Sequence, residues 1–157
     1  MMEKTNVMRI LDRNHISYKS YCYKDTNAIS GIEVAEVLHE NPEQVLKTLV
    51  TISKEKKIYV FMIPVAAELD LKKAAKSVSV KALEMLKQKD LLATTGYVHG
   101  GCSPIGMKKD FPVVIAKQVE KFDHIIFSAG KVGYQVEMSL TQLLDFRQAK
   151  LADITKE

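Results

Sequence analysis

Cysteine is nearly absent from this 157-residue chain, which contains only Cys22 and Cys102. Two cysteines are too few for a disulfide scaffold or a zinc cage. Signal-peptide character is lacking as well: the opening Met1-Met2-Glu3-Lys4-Thr5-Asn6 is polar and leads into an amphipathic stretch. The two thiols are therefore expected to be reduced and the protein cytoplasmic. No apolar run approaches the roughly 18–20 residues of a membrane span, so no membrane partner is expected. Seven glycines and four prolines, with 46% apolar and 27% charged residues, exclude a disordered or collagen-like chain. The four histidines, His15, His39, His99 and His124, have no zinc-ligand spacing, and His39-Glu40 lacks the second histidine of a helical zinc motif. Neither a metal nor a cofactor is expected.

A large excess of one charge is missing too. Lys and Arg number 23 against 19 Asp and Glu, a net +4. The distribution is uneven. Residues 1–70 carry nine basic and ten acidic side chains, and residues 71–157 carry fourteen and nine. Between Lys72 and Lys89 six lysines face one acid, Glu84. Such a face admits a polyanion partner, while a merely solvated helix has the same composition. The length suits a single domain, 1–157, since a chain near 150 residues buries about 68–70% of its unfolded surface.

Thr5 is placed to cap a helix ending near Asn14, with Val7, Met8, Ile10 and Leu11 on its apolar side. Ile16 to Tyr23 reads as a strand. Ser30-Gly31-Ile32-Glu33 matches a capping box for a second helix, which Asn41-Pro42 ends. Val45–Ile52 and Ile58–Val65 form a hairpin around the charged tip 53–57, the second arm apolar throughout, as in a strand buried on both faces. Residues 71–92 read as two or three short helices closed by Gly96. Tyr97-Val98, Pro112–Ala116, His124–Ser128 and Tyr134–Met138 read as strands, the last two joined by the Gly130–Gly133 turn. Ser139-Leu140-Thr141-Gln142 is a second capping box, opening a helix to about Arg147. Helices at both ends around mixed strands indicate an α+β domain.

Three glycines and a proline fall within Gly100-Gly101-Cys102-Ser103-Pro104-Ile105-Gly106. This segment fits neither a helix nor a central strand. Glycines let a ligand approach the backbone closely, and successive N–H groups can form an anion-binding nest; a tight connection without a ligand has the same composition. A phosphate-binding loop is excluded, because Met107 and Lys108 follow where that motif needs Lys and then Ser or Thr. Cys102 has no base at a recognisable spacing, and a free cysteine is usually an apolar filler. Lys47 lies at the start of the apolar strand Val45–Val50. There an ammonium aimed into a cleft would hold a phosphate or a developing oxyanion, and an edge lysine that discourages aggregation fits the same pattern.

Taken together, Asn41–Leu49, Pro64–Lys73, Thr95–Gly106, Ser128–Gly133 and Ala152-Asp153-Ile154 resemble the YbaK/EbsC family, the domain also associated with prolyl-tRNA synthetases as an editing module. The resemblance spans nearly the whole chain. It implies a mixed, barrel-like β core surrounded by helices, and a trans-editing deacylase acting on Cys-tRNA(Pro) and on Cys-tRNA(Cys). The family's essential lysine maps onto Lys47. Its substrate loop maps onto Gly100, Gly101, Ser103, Pro104 and Gly106, and its glycine turn onto Ser128, Gly130 and Lys131. The implied partners are mischarged tRNA(Pro) and prolyl-tRNA synthetase.

The chain departs from the family where many members have Arg and it has Val132, and where some have Asp and it has Gln135. Cys102 sits where relatives carry other residues. The mechanism expected from the resemblance has Lys47 anchoring the terminal phosphate or sugar, with N–H groups near Gly101 and Ser103 facing the ester oxygen. The substrate's own thiol attacks the carbonyl, or a positioned water does. Other readings of the sequence are an Ala-tRNA(Pro) deacylase, a non-catalytic module that binds tRNA ends, and a protein-interaction domain using the basic face.

Overall fold

The computed structural model describes residues 3–157; Met1 and Met2, part of the polar N-terminus, lie outside the described residues. The Thr5 hydroxyl accepts from the Met8 N–H and caps α1 (Asn6–Arg13), which buries Val7, Met8 and Leu11. Strand β1 (Tyr18–Cys22) follows. Ser30 and Glu33 close a reciprocal capping box at the start of α2 (Gly31–Val37). The hairpin consists of β2 (Leu46–Ser53) and β3 (Ile58–Pro64), and Lys56 in its tip takes a left-handed φ of 66°. Then come α3 (Leu71–Ser77), β4 (Leu83–Met85) and α4 (Gln88–Thr95), the last stopped by Gly96 at φ 88°. The chain finishes with β5 (Val113–Ala116), a 3-10 turn (Lys117–Lys121), β6 (His124–Ser128), β7 (Tyr134–Ser139), α5 (Leu140–Arg147) and β8 (Lys150–Ala152).

These strands make two sheets. One is antiparallel, in the order β1-β7-β6; the other is mixed, in the order β4-β2-β3-β5-β8. A parallel bridge between Val45 and Ile126 joins them, without closing a barrel. The expected α+β class holds, with an open two-sheet core. In β3, Val60 and Met62 face the larger core, shared with α1, α5 and the three-stranded sheet. Phe61 and Ile63 face a second core under α3. In β5 the alternation repeats, with Val113 and Ile115 on the first side and Val114 and Ala116 on the second. Two-sided burial is what the unbroken apolar runs encode, at about 1.5–3 kcal/mol per large buried side chain.

Residues 71–92 differ from the expectation of helices alone. Leu83-Glu84-Met85 pairs antiparallel with Thr51–Ser53, and Leu83 enters the second core. The lysines from Lys72 to Lys89 are therefore divided between α3 (Lys72, Lys73, Lys76), the connection before β4 (Lys81) and the start of α4 (Lys87, Lys89), and form no single helix face. Tyr97-Val98 forms no strand. The left-handed Gly96 and Gly100 bend the backbone on both sides of it, and the Tyr97 hydroxyl donates to the Ile105 carbonyl. The 3-10 turn and β8 carry no strong local signal; β8 exists because β5 offers it an edge.

Strand β2 is paired with β3 along its length but with β4 only from Thr51 to Ser53. At its other end the chain meets β6 through Val45. In between, Leu46–Leu49 has no strand on that side among the described residues, and this open edge positions the candidate site.

Candidate functional site

A cleft of about 470 Å³ lies along the open edge of β2, lined there by Lys47, Thr48 and Leu49. The N-terminal end of α2, with Ser30 and Ile32, forms one wall. His99, Gly100 and Cys102 contribute from the glycine segment, and Ser128 and Gln135, a cross-strand pair on β6 and β7, complete the lining. Among the described residues the Lys47 ammonium has no hydrogen-bond or ion-pair partner. Thr48 Oγ1 is enclosed and also lacks a partner. Side chains alternate along β2, with Lys47 opposite Ile63 and Thr48 opposite Met62, so the uncommitted ammonium, and not the enclosed hydroxyl, is the group available to a polar ligand.

The glycine segment packs against the glycine turn. A Cβ on Gly101 would lie 3.0 Å from the Val132 nitrogen and 3.3 Å from the Lys131 carbonyl carbon, so only glycine admits this approach without displacement. The Gly101 N–H donates to the Val98 carbonyl at 3.0 Å and is committed to a turn. The N–H groups of Gly100 and Cys102 have no partner among the described residues, and both residues line the cleft.

Lys47, Gly100 and Ser128 thus come together at the cleft. Ser103 is fully buried, with its hydroxyl accepting from Ile105. Pro104 lies behind the loop, where its carbonyl accepts from Arg147 Nε at 2.7 Å. Gly106 and Gly130 take positive φ and pack against Tyr97 from two directions. Lys131 points away, paired with Glu3 and stacked 5.7 Å from the Tyr134 ring centroid.

Arg147 was not legible as a site residue. It is nearly buried. Besides Pro104 it donates to the Phe111 carbonyl at 2.9 Å, fastening both halves of the loop to α5. No local sequence signal marks it, since its partners are backbone carbonyls distant in the chain. Glu40 likewise carries no local signal in the sequence. With the Gln135 amide nitrogen turned toward it, Gln135 donates to both carboxylate oxygens at 3.1 and 2.8 Å. Burial raises the Glu40 carboxyl to about 7, opposed by the Gln135 hydrogen bond and assisted by the charge of Glu137. The Tyr21 hydroxyl donates to Glu137 at 2.7 Å, and this bond, with burial, pushes the phenol up to about 12.

Cys102 is a poor nucleophile. Burial pushes its thiol up to about 12, against a smaller lowering by Thr95, so the thiol is protonated at neutral pH. Among the described residues no three His, Cys, Asp or Glu side chains are grouped to hold a metal ion, and no helix is long and apolar enough to cross a membrane. The cleft supplies a fixed cation and backbone donors. That set suits holding a phosphorylated ligand and stabilising an oxyanion, with the attacking group coming from the ligand or water.

The profile of the aminoacyl-tRNA editing domain family matches residues 26–146. A protein of Enterococcus faecalis, provisionally named Cys-tRNA(Pro)/Cys-tRNA(Cys) deacylase EbsC, is 44% identical over 154 residues, spanning 98% of this chain and 94% of the relative. A crystal structure provisionally described as a trans-editing enzyme for prolyl-tRNA synthetase superposes with a TM-score of 0.83 at 19% identity, covering 99% of this chain and 100% of the other. Another, of a hypothetical protein, gives 0.88 at 17% identity over 97% and 100%. At such identities the structural likeness concerns the fold.

Proposed function

The chain belongs to the aminoacyl-tRNA editing domain family, and on that premise we propose that it is a trans-editing deacylase that removes cysteine from Cys-tRNA(Pro), and from Cys-tRNA(Cys). The whole chain, 1–157, acts as one editing unit in the cytoplasm, where mischarged tRNA arises. The observation that carries this reading is the uncommitted ammonium of Lys47 on the open β2 edge, across a cleft from the unpaired N–H groups of Gly100 and Cys102.

Lys47 binds the terminal phosphate or sugar beside the ester. The two N–H groups receive the carbonyl oxygen as it becomes an oxyanion, one such donor being worth on the order of 3–4 kcal/mol. They replace Gly101, whose N–H is spent on Val98. Ser128 and Gln135 border the aminoacyl group. Gly101 and Gly130 set the shape of the loop and turn; Ser103, Pro104 and Gly106 anchor the loop from behind, and Lys131 holds the turn to Glu3.

The substrate's thiol attacks its own carbonyl. A C–S bond forms, the ester C–O bond breaks, and the thiol proton passes to the departing ribose oxygen, leaving free tRNA and a cyclic thioester. This route is supported by the high thiol pKa of Cys102, which leaves the protein without a competent nucleophile of its own there. It also explains selectivity, because alanine and proline lack a thiol. Prolyl-tRNA synthetase is the partner that supplies tRNA identity.

The experiment compares deacylation of cysteinyl-, alanyl- and prolyl-tRNA(Pro) by the wild type and Lys47→Ala. Only the cysteinyl ester is expected to be cleaved. Lys47→Ala is expected to lower turnover by a factor of about 10²–10³ and leave stability within about 0.5 kcal/mol. Cleavage of the alanyl ester alone assigns alanine editing instead, binding without cleavage of any ester assigns a non-catalytic module, and full turnover by Lys47→Ala removes that residue from the mechanism.

A further inference from the structure

A second recess, of about 530 Å³, lies outside the cleft. Lys56 and Lys57 enter it from the hairpin tip, and Lys108 and Lys109 from the segment after the glycine loop. These pairs are separated by about a third of the chain, so no charge run announces them. Among the described residues no acidic side chain lines the recess. Of the two acids that adjoin the lining in sequence, Asp110 lies 3.6 Å from Arg147, and Glu55, beside Lys56 at the hairpin tip, is not among the residues that line the recess. Tyr59 and Phe111 contribute aromatic surface.

Two of the lysines are held in place. Lys56 occupies the left-handed position of the hairpin tip, fixed by its N–H donating to the Ser53 carbonyl at 2.9 Å. Lys108 lies across the C-terminal end of α4. Its stem packs on Gly96 and its ammonium donates to the Ala93 carbonyl at 3.2 Å. Helix α4 divides the two recesses, with Leu91 lining the cleft and Ala93 and Thr94 lining the basic hollow.

We infer that this four-lysine hollow is a second RNA contact, which binds the phosphate backbone of the tRNA acceptor stem while the aminoacyl end occupies the cleft. The inference rests on the proposed function for the identity of the RNA. From Lys47 to Ile52, where the hairpin begins to turn, five residues at about 3.4 Å each give roughly 17 Å. On a stacked strand advancing about 3.4 Å per nucleotide, that is on the order of five nucleotides from the terminus. The hollow is therefore too distant for the reacting nucleotide and suits the stem behind it. Lysines on flexible stems, with no arginine fork and no base-reading amide, recognise phosphate and no particular sequence.

The test measures binding of uncharged tRNA(Pro) across a range of salt concentrations. The variants are K56A/K57A/K108A/K109A; K57A/K109A, which spares the fixed Lys56 and Lys108; and K72A/K76A on α3 as a charge-matched control for the double. Each lost phosphate contact reduces the slope of log K against log salt by about 0.7–0.9. The quadruple variant is expected to lose about 2.8–3.6 in slope and at least tenfold in affinity, the double about half of that slope, and the control little. All should bind the trinucleotide CCA as the wild type does.

With Cys-tRNA(Pro), the quadruple variant should raise KM and leave kcat unchanged. An unaltered slope in both hollow variants overturns the inference, as does an equal loss in the α3 control. Loss of synthetase capture with tRNA binding intact also overturns it, in favour of a protein surface. A wild type that binds tRNA with the expected slope but cleaves no ester overturns the proposed activity and leaves the hollow standing.

Discussion

Glu40 offers the sharpest test of the electrostatics behind the cleft. It follows α2 and is half-buried against the three-stranded sheet, where Gln135 donates to both its oxygens and Glu137, bonded in turn by Tyr21, repels its charge. Its carboxyl rises from an ordinary 4.5 to about 7 on folding. The folded protein therefore holds this proton more tightly than the unfolded chain. The stabilising contribution is complete below about pH 4.5 and is lost as pH climbs through 7. At about 1.4 kcal/mol per pH unit the whole interval is worth ~3 kcal/mol; with the carboxyl partly open to water, screening reduces this to about 1–2 kcal/mol. Glu40→Gln removes the charge and keeps an acceptor for Gln135. It is expected to be more stable than the wild type by about 1–2 kcal/mol at pH 8, or about 2–8 °C in Tm, and to match it near pH 4.5. Urea unfolding of both proteins at half-unit steps from pH 4.5 to 8 gives the difference directly, because the histidines and other common groups cancel. A stability difference that does not change with pH refutes the reasoning.

Three further outcomes are expected. Cys102→Ala should retain most of its turnover on Cys-tRNA(Pro), and a collapse in a folded variant would restore the thiol as a nucleophile. Gly101→Ala forces a Cβ to 3.0 Å from the Val132 nitrogen; it should cost about 1–3 kcal/mol in denaturant unfolding and weaken substrate binding, and wild-type values in both assays would show that the loop yields freely. Arg147→Lys abandons the two-pronged grip on Pro104 and Phe111, with an expected loss of about 2–3 kcal/mol and a fall in kcat/KM. Unchanged stability would mean that a single ammonium satisfies both carbonyls.

Much of the fold was written locally. Thr5 and Ser30 announce helix starts through their hydroxyls, and the apolar run Ile58–Ile63 announces a strand between two cores. What local pattern omits is pairing. Leu83-Glu84-Met85, embedded among lysines, becomes a strand because β2 leaves an edge for it. The site was legible to the same extent. Lys47 drew attention as a cation in an apolar strand, and the glycine segment as backbone of unusual freedom. The spent N–H of Gly101, the withdrawal of Lys131 to Glu3 and the arrival of Arg147 depend on contacts across the chain that no spacing encodes.

Arg147 reaches back 43 residues to Pro104 and 36 to Phe111. Contacts of such separation form late, once loop closure has been achieved. On the ribosome, a nascent chain not yet extended to Arg147 already contains every residue lining the cleft, yet nothing clasps their glycine-rich rim. Assembly of the clasped rim therefore waits until Arg147 has been made, twelve residues after Gln135, the last residue to line the cleft.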